Sequence, residues 1–175
     1  MDWRYFFVLG GLTFCHAVSA YDLLLNVKGT ISNNGCMVSA DSQMLNVVFG
    51  NVAQKQFYAK DVAFAKLQFV IKLEHCGSET TGVKVTFEGP PHPDNPDLLA
   101  LNETPGLDFA TGLGIEILDA TGIKLPIGIQ IPSTLPIDAA SGAVNELVFY
   151  AQYRSTGPVT LGIADAISTF VLEYQ

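Results

Sequence analysis

The sequence predicts an all-β sandwich, and three observations lead to that fold class. Short segments with alternating apolar and polar residues recur along the chain, convincing helical periodicity is missing, and Gly- and Pro-rich turns separate the segments. Successive side chains of a β-strand point to opposite faces, so each segment fits a strand with one face in a core and one in water. About seven or eight such strands predict one antiparallel, broadly immunoglobulin-like sandwich.

Four segments show the alternation most clearly, and we predict strands at residues 66–74, 82–88, 146–154 and 167–174. Residues 44–49 form a short apolar run, and 54–65 could hold a helical turn or a loop. A turn-forming run at 119–122 separates two further apolar segments and predicts a hairpin. Four prolines within 89–97 favour a loop, because proline disrupts both helices and sheet ladders.

The charge of the chain excludes several classes of partner. The formal net charge is −8, and 9 of the 175 residues are Lys or Arg. A nucleic-acid-binding protein needs clustered basic side chains for the phosphates, so nucleic acid is not expected as a partner. Adsorption to anionic membranes is disfavoured for the same reason.

The first 20 residues have the features of a secretory signal. Residues 5–14 form an apolar run that is too short to span a bilayer. Val18-Ser19-Ala20 supplies small residues suited to cleavage after Ala20, although Asp2 offsets the basic Arg4. We expect the chain beyond Ala20 to be exported.

Two cysteines remain once Cys15 leaves with the signal. An even number in an exported chain predicts a disulfide between Cys36 and Cys76, worth about 4 kcal/mol in the chain-entropy model. The alternative is a metal site that combines these cysteines with His75 and His92. Spacing typical of such a site is missing, so we expect no metal.

The sequence also lacks a recognisable catalytic set. His75 and His92 are the histidines left after the signal, and we find no nucleophile elbow, zinc helix or phosphate loop. The acidic residues are scattered, although paired acids for glycoside cleavage stay open as an alternative. We expect no enzyme activity, no cofactor and no small-molecule substrate, with a secreted sandwich enzyme as the rival interpretation.

Residues 21–35 form an alternating arm that ends at Asn33-Asn34-Gly35, just before Cys36. One face is polar apart from Leu24. The arm is either an ordinary first strand or a strand that completes the sheet of another molecule. Its apolar face consists of Leu23, Leu25, Val27, Gly29 and Ile31.

A set of motifs in register is similar to one known family. The set consists of the signal, the arm with Gly29, the run Asn34-Gly35-Cys36, the pair Cys76-Gly77 and the ending at 170–175. Together they resemble the fimbrial (pilus) subunits of the chaperone–usher class over essentially the whole exported chain. Within that family, the similarity is greatest to the minor tip-fibrillum adaptor subunits of type 1 fimbriae.

The resemblance implies an immunoglobulin-like sandwich that lacks its last strand and carries an N-terminal donor-strand extension. Residues 1–20 would be the signal, 21–35 the donor arm and 36–175 the pilin domain. A periplasmic chaperone lends a strand to the open groove, and at the outer-membrane usher the arm of an adjacent subunit replaces it. The alternating apolar face of the arm would be the inserted face.

The resemblance also assigns residues to the groove. Tyr174 matches the penultimate tyrosine of the family, and Gly162, fourteenth from the end, matches a glycine near the start of its last strand. The implied groove edge, which the chaperone pairs alongside, consists of Gly162, Phe170, Leu172 and Tyr174.

The implied function is that of a structural subunit that is exported through the periplasm to the cell-surface fimbrium. There it would link neighbouring subunits near the adhesive tip. The alternatives are a sugar-binding adhesin domain, a major rod subunit or a terminator.

Overall fold

The structure, a computed structural model, describes residues 34–103 and 106–175, and most of its regular elements are strands. In chain order the elements are β1 (Met37–Val38), α1 (Ala40–Gln43), a 3₁₀ turn (Gln54–Gln56), β2 (Ala63–Glu74), β3 (Gly82–Glu88), β4 (Pro91–His92), β5 (Asn95–Leu99), β6 (Leu113–Asp119), β7 (Lys124–Leu125), β8 (Leu135–Pro136), β9 (Val144–Ser155) and β10 (Thr169–Tyr174).

These strands form two antiparallel sheets. The larger sheet has the order β1-β2-β9-β6-β5-β4, with β7 paired to β6, and the smaller sheet has the order β10-β3-β8. The predicted all-β, immunoglobulin-like sandwich is therefore confirmed. The helix α1 has four residues, and no helix in the described part of the chain is long and apolar enough to cross a membrane.

Strands β2 and β9 form the centre of the larger sheet. They pair from Ala63 opposite Arg154 to Glu74 opposite Val144, with a bulge after Phe64. The alternation predicted for 66–74 and 146–154 is confirmed here, because alternate residues of both strands enter the core. The fully or nearly fully buried residues of this set are Ile71, Leu73, Leu147, Phe149, Ala151 and Tyr153.

Three phenylalanine rings join the two sheets across the core. The ring of Phe149 in β9 lies 5.0 Å from that of Phe87 in β3 and 5.7 Å from that of Phe69 in β2, centroid to centroid. The rings of Phe69 and Phe87 are 5.9 Å apart. Buried aromatic rings contribute strongly to the energetics of a small core, so this cluster is a substantial apolar link between the sheets.

The prediction of a loop at 89–97 was wrong. Strands β4 and β5 form a hairpin there, with Pro91 opposite Leu99. Proline is tolerated because β4 is the outermost strand of the sheet, where a missing N–H costs no ladder bond. Pro96 lies in β5, which pairs with β6 at Leu99, opposite Ile115. The missing N–H of Pro96 is therefore outside the contact between β5 and β6.

A buried ion pair lies on the side of the larger sheet away from the phenylalanine cluster. Glu116 in β6 is 2% exposed, and its two carboxylate oxygens accept hydrogen bonds from Arg154 at 2.8 and 2.7 Å. Gln152 donates a further bond at 2.6 Å. Arg154 also donates to the carbonyl of Asp61, so this network ties the chain before β2 to the sheet.

Candidate functional site

Among the described strands, β10 has a partner on one side only. It runs antiparallel to β3, with Phe170 opposite Phe87 and Tyr174 opposite Val83. No described residue pairs with its other side, which we call the open edge. Such an edge presents a row of free N–H and C=O groups to which another strand can add.

The alternation of backbone hydrogen bonds along β10 shows which residues direct their N–H and C=O groups toward the open edge. The N–H of Gln175 donates to the carbonyl of Gly82 at 2.9 Å, so Gln175 faces β3. In an antiparallel pair, successive residues direct their backbone groups to alternate sides. Phe170, Leu172 and Tyr174 therefore direct their N–H and C=O groups toward the open edge.

The same three residues direct their side chains into the sandwich. Phe170, Leu172 and Tyr174 pack against the buried core but are themselves only half-buried. Val171, on the opposite face, is 47% exposed. At these three residues an added strand would thus meet incompletely covered apolar side chains and backbone groups that no described residue pairs.

A second apolar segment borders the core without joining a sheet. Residues 44–52 form neither helix nor strand, and no backbone hydrogen bond joins them to another described residue. Val47 and Phe49 are half-buried against the core, and the ring centroid of Phe49 lies 4.4 Å from that of Tyr153. Met44 and Val48 point outward and are 90% and 71% exposed. This segment therefore has backbone groups that bond to none of the described residues, together with exposed apolar side chains.

The cysteines lie beside one end of the open edge. The predicted disulfide between Cys36 and Cys76 is present. Gly77 donates its N–H to the carbonyl of Gly35 at 2.8 Å, and the Tyr174 hydroxyl donates to the carbonyl of Cys36 at 3.1 Å. Burial raises the pKa of Tyr174, and its bond to Cys36 offsets part of that rise. We call Gly35–Cys36 the arm base, since the predicted arm ends there.

Gly162 lies in the loop before β10 rather than in the strand. It has φ +146°, and a Cβ atom there would lie 2.4 Å from the carbonyl carbon of Phe109, so only glycine fits. This close approach lets Ile163 donate to Asp108 at 3.0 Å and accept from Ala110 at 2.8 Å. A cavity of about 330 Å³ opens at this contact, lined by Leu107, Asp108, Phe109, Leu161 and Gly162.

The structure brings together some of the predicted site residues. Phe170, Leu172 and Tyr174 share one strand and one face, whereas Gly162 belongs to the neighbouring loop. The five residues predicted for insertion lie outside the described part of the chain, so their role stays a prediction: Leu23, Leu25, Val27, Gly29 and Ile31.

The residues of the alternative metal site do not converge. His75 is exposed, with Nδ1 3.9 Å from a Glu74 carboxylate oxygen. His92 is buried, accepts the N–H of Asp94 at Nδ1 and has Nε2 3.3 Å from the Thr156 hydroxyl. Within 34–103 and 106–175, no group of three His, Cys, Asp or Glu side chains could hold a metal ion.

Sequence reasoning missed two parts of this site. The bond between Tyr174 and Cys36 joins residues 138 positions apart, a separation at which alternation carries no information. The second is the packing of Val47 and Phe49 against the core. The apolar run at 44–49 indicates that some of its residues are buried, but it has no period that shows which side of the segment is uncovered.

Comparisons with known proteins agree with this geometry. A family model described as "Fimbrial protein" matches residues 25–175. The chain is 34% identical to the uncharacterized fimbrial-like protein YcbV of Escherichia coli K12, over 94% of this chain and 93% of that protein. It is 33% identical to the S-fimbrial protein subunit SfaG of E. coli O6:K15:H31 (strain 536), over 92% and 87%.

A solved structure shows the same fold. A chain of a chaperone–usher pilus, studied for rod uncoiling, superposes with a TM-score of 0.66 and covers 92% of this chain and 100% of its own length. Its sequence identity is 21%, so it supports the fold alone. From the family match and the two relatives, the chain belongs to the fimbrial protein family.

Proposed function

We propose that the chain is a non-catalytic, structural minor subunit of a chaperone–usher fimbria that assembles by exchange of donor strands. The observation that carries this proposal is the open edge of β10. Free backbone groups and half-buried apolar side chains occur there at the same residues, Phe170, Leu172 and Tyr174. Strand addition satisfies both at once, because backbone bonds form along the edge while alternate side chains of the new strand enter the core.

Two kinds of partner follow from this proposal. A periplasmic fimbrial chaperone supplies the first strand during export, and an adjacent fimbrial subunit supplies the final one at the outer-membrane usher. The open edge and the segment at 44–52 would be covered in both complexes. Export through the periplasm to the surface fimbrium agrees with membership of the fimbrial protein family.

The arm at residues 21–35 is the part of this chain that completes another subunit. Its four aliphatic side chains would contribute roughly 6–12 kcal/mol gross when fully buried. A shift of one residue would present Asp22, Asn26 and Lys28 to the neighbouring core instead. The alternation of the arm therefore enforces one register.

A position near the adhesive tip is the finer part of the proposal. It is supported by the resemblance of residues 95–102, 112–115 and 172–175 to minor tip adaptor subunits. Catalysis is not part of the proposed role, because the residues around the open edge are apolar side chains and backbone groups rather than acids, bases or nucleophiles.

The test substitutes the arm and measures its insertion into a preceding subunit. Val27→Asp and, separately, Leu25→Asp each place a charge on the apolar face, which would have to be desolvated in the neighbouring core. Both variants should still bind the chaperone through the pilin domain but fail to complete the preceding subunit. Insertion is followed as formation of a denaturant-resistant complex between the two purified subunits.

Asn26→Asp is the matched control, since it adds the same charge on the face that points away from the core. It should insert at nearly the wild-type rate. Normal insertion by both apolar-face variants would overturn the proposed role of the arm.

A further inference from the structure

In the described part of the chain, three contacts from two different parts of the fold hold the arm base. The disulfide to Cys76 and the N–H of Gly77, which donates to Gly35, both come from the turn after β2. The third contact is the hydroxyl of Tyr174, which donates to the carbonyl of Cys36 at 3.1 Å. Tyr174 thus connects the arm base to the strand that carries the open edge.

These contacts fix consecutive peptide planes. The carbonyl of Gly35 belongs to the plane between Gly35 and Cys36, and the carbonyl of Cys36 belongs to the next plane. Because each plane is rigid, orienting two successive carbonyls restrains the dihedral angles at Cys36 between them. The Tyr174 ring also packs beside Gly35, since a Cβ atom built on Gly35 would lie 3.9 Å from the Cδ2 atom of the ring.

Tyr174 also faces the open edge with its backbone. Its N–H and C=O groups point away from β3, by the alternation set at Gln175. A strand that adds to the open edge would therefore bond the residue whose side chain holds the arm base. In the proposed assembly, Tyr174 would therefore contact both the strand that this subunit accepts and the base of the arm that it donates.

We propose that Tyr174 is a positioning residue for the arm: its hydroxyl orients the arm base, Gly35–Cys36, to which the arm is joined in the sequence. This inference rests on the proposed function and adds to it a link between the acceptor and donor roles of one subunit. Its physical basis is a single hydrogen bond, whose loss corresponds to roughly a 2- to 10-fold change in a rate or equilibrium.

The test compares wild type, Tyr174→Phe and Tyr153→Phe, each exported and completed with a synthetic peptide of residues 21–33, which stands in for the donor arm of an adjacent subunit. Tyr153→Phe is a matched control, because the Tyr153 hydroxyl also donates to a backbone carbonyl, that of Ala164 at 2.8 Å, away from the arm base. Two measurements are made. Backbone ¹⁵N order parameters report the arm base, and insertion into a chaperone-held preceding subunit reports the arm.

In wild type we expect order parameters of about 0.85 at Gly35 and Cys36, as in rigid backbone. Tyr174→Phe should lower them toward the roughly 0.6 of flexible segments and slow insertion of the arm about 2- to 10-fold. Tyr153→Phe should alter neither measurement.

Unchanged order parameters at Gly35 and Cys36 in Tyr174→Phe would overturn the inference, as would an equal loss in Tyr153→Phe. Failure of the proposed function gives a different result. In that case the peptide leaves the β10 amides of wild type unprotected, or the wild-type arm does not enter the preceding subunit. The order parameters at Gly35 and Cys36 are measured without any insertion step. They therefore show whether the Tyr174 hydroxyl restrains the arm base even if the proposed function fails.

Discussion

The central strands of the larger sheet and the open edge of the smaller one contain similar apolar residues, but they differ in burial and in strand pairing. Leu147 in β9 is 5% exposed, and its strand is paired on both sides. Leu172 in β10 has the same side chain and also points inward, yet it is half-buried, and the described part of the chain pairs its strand on one side. The difference shows that an alternating strand specifies which face is apolar, whereas the neighbouring strands decide whether that face is covered.

The largest expected effect is in the interior, at Glu116. Glu116→Ala would leave the partly buried Arg154 without its carboxylate, and removal of one partner of a buried pair typically costs about 3–5 kcal/mol. The control is Glu146→Ala, which removes an exposed partner 3.4 Å from Lys72 and should cost about 0–1 kcal/mol. Urea denaturation of both variants with the donor peptide bound measures the difference. Equal costs would show that the interior network is no more important than a surface pair.

The next effect sharpens the comparison between the two leucines. Leu147→Ala should cost about 2–5 kcal/mol whether or not a donor peptide is bound, since its site is already closed. Leu172→Ala should cost less in the uncomplemented chain and approach that range only when the peptide of residues 21–33 covers it. Denaturation of each variant with and without peptide measures the change. A peptide-independent cost at Leu172 would mean that strand addition does not complete this part of the core.

The smallest effect concerns pH and distinguishes the two tyrosines. Burial raises the pKa of Tyr153, with a further contribution from Asp165, and burial also raises the pKa of Tyr174. A raised phenol pKa means that folding favours the neutral form. The stability that each contributes is therefore complete below pH 10.0, the ordinary value, and is lost as the pH rises through the folded-state pKa.

An added strand should bury Tyr174 further and leave Tyr153 as it is. Tyrosinate absorbance is titrated for wild type, Tyr153→Phe and Tyr174→Phe, with and without peptide. The difference between the wild-type curve and the curve of each variant isolates the tyrosine that the variant lacks, because the other tyrosines contribute to both curves. The pKa of Tyr174 should rise on addition of the peptide, and that of Tyr153 should not. The reverse pattern would place the added strand away from the open edge.

Much of the sandwich could be predicted because a period of two residues survives in the sequence wherever one strand face is buried. This is the case for β2, β3, β9 and β10, whose predicted segments match the observed strands closely. Prediction failed at the β4–β5 hairpin, since proline excludes a ladder position only where the neighbouring strand needs its N–H. Proline content alone does not show that a strand lies at the edge of a sheet.

The candidate site was predictable in part for the same reason. Alternation placed Phe170, Leu172 and Tyr174 on one face, but it could not show that one side of their strand is left unpaired by the described residues. Glu116 and Arg154 were hidden because alternation placed Arg154 on the solvent side, and a buried ion pair leaves no periodic signal. Contacts set by tertiary packing, such as that of Tyr174 with Cys36, need the fold itself.

The disulfide has a mechanical consequence. Residues before Cys36 are joined covalently to Cys76, just beyond the end of β2, so a pull on this part of the chain does not act on the two-residue β1 alone. The load passes to β2, which is bonded along most of its length to β9. Tension along such a strand must shear many hydrogen bonds together rather than peel them one at a time. A chain pulled at the arm base should therefore resist extension in its oxidised form and yield at much lower force once Cys36 and Cys76 are reduced.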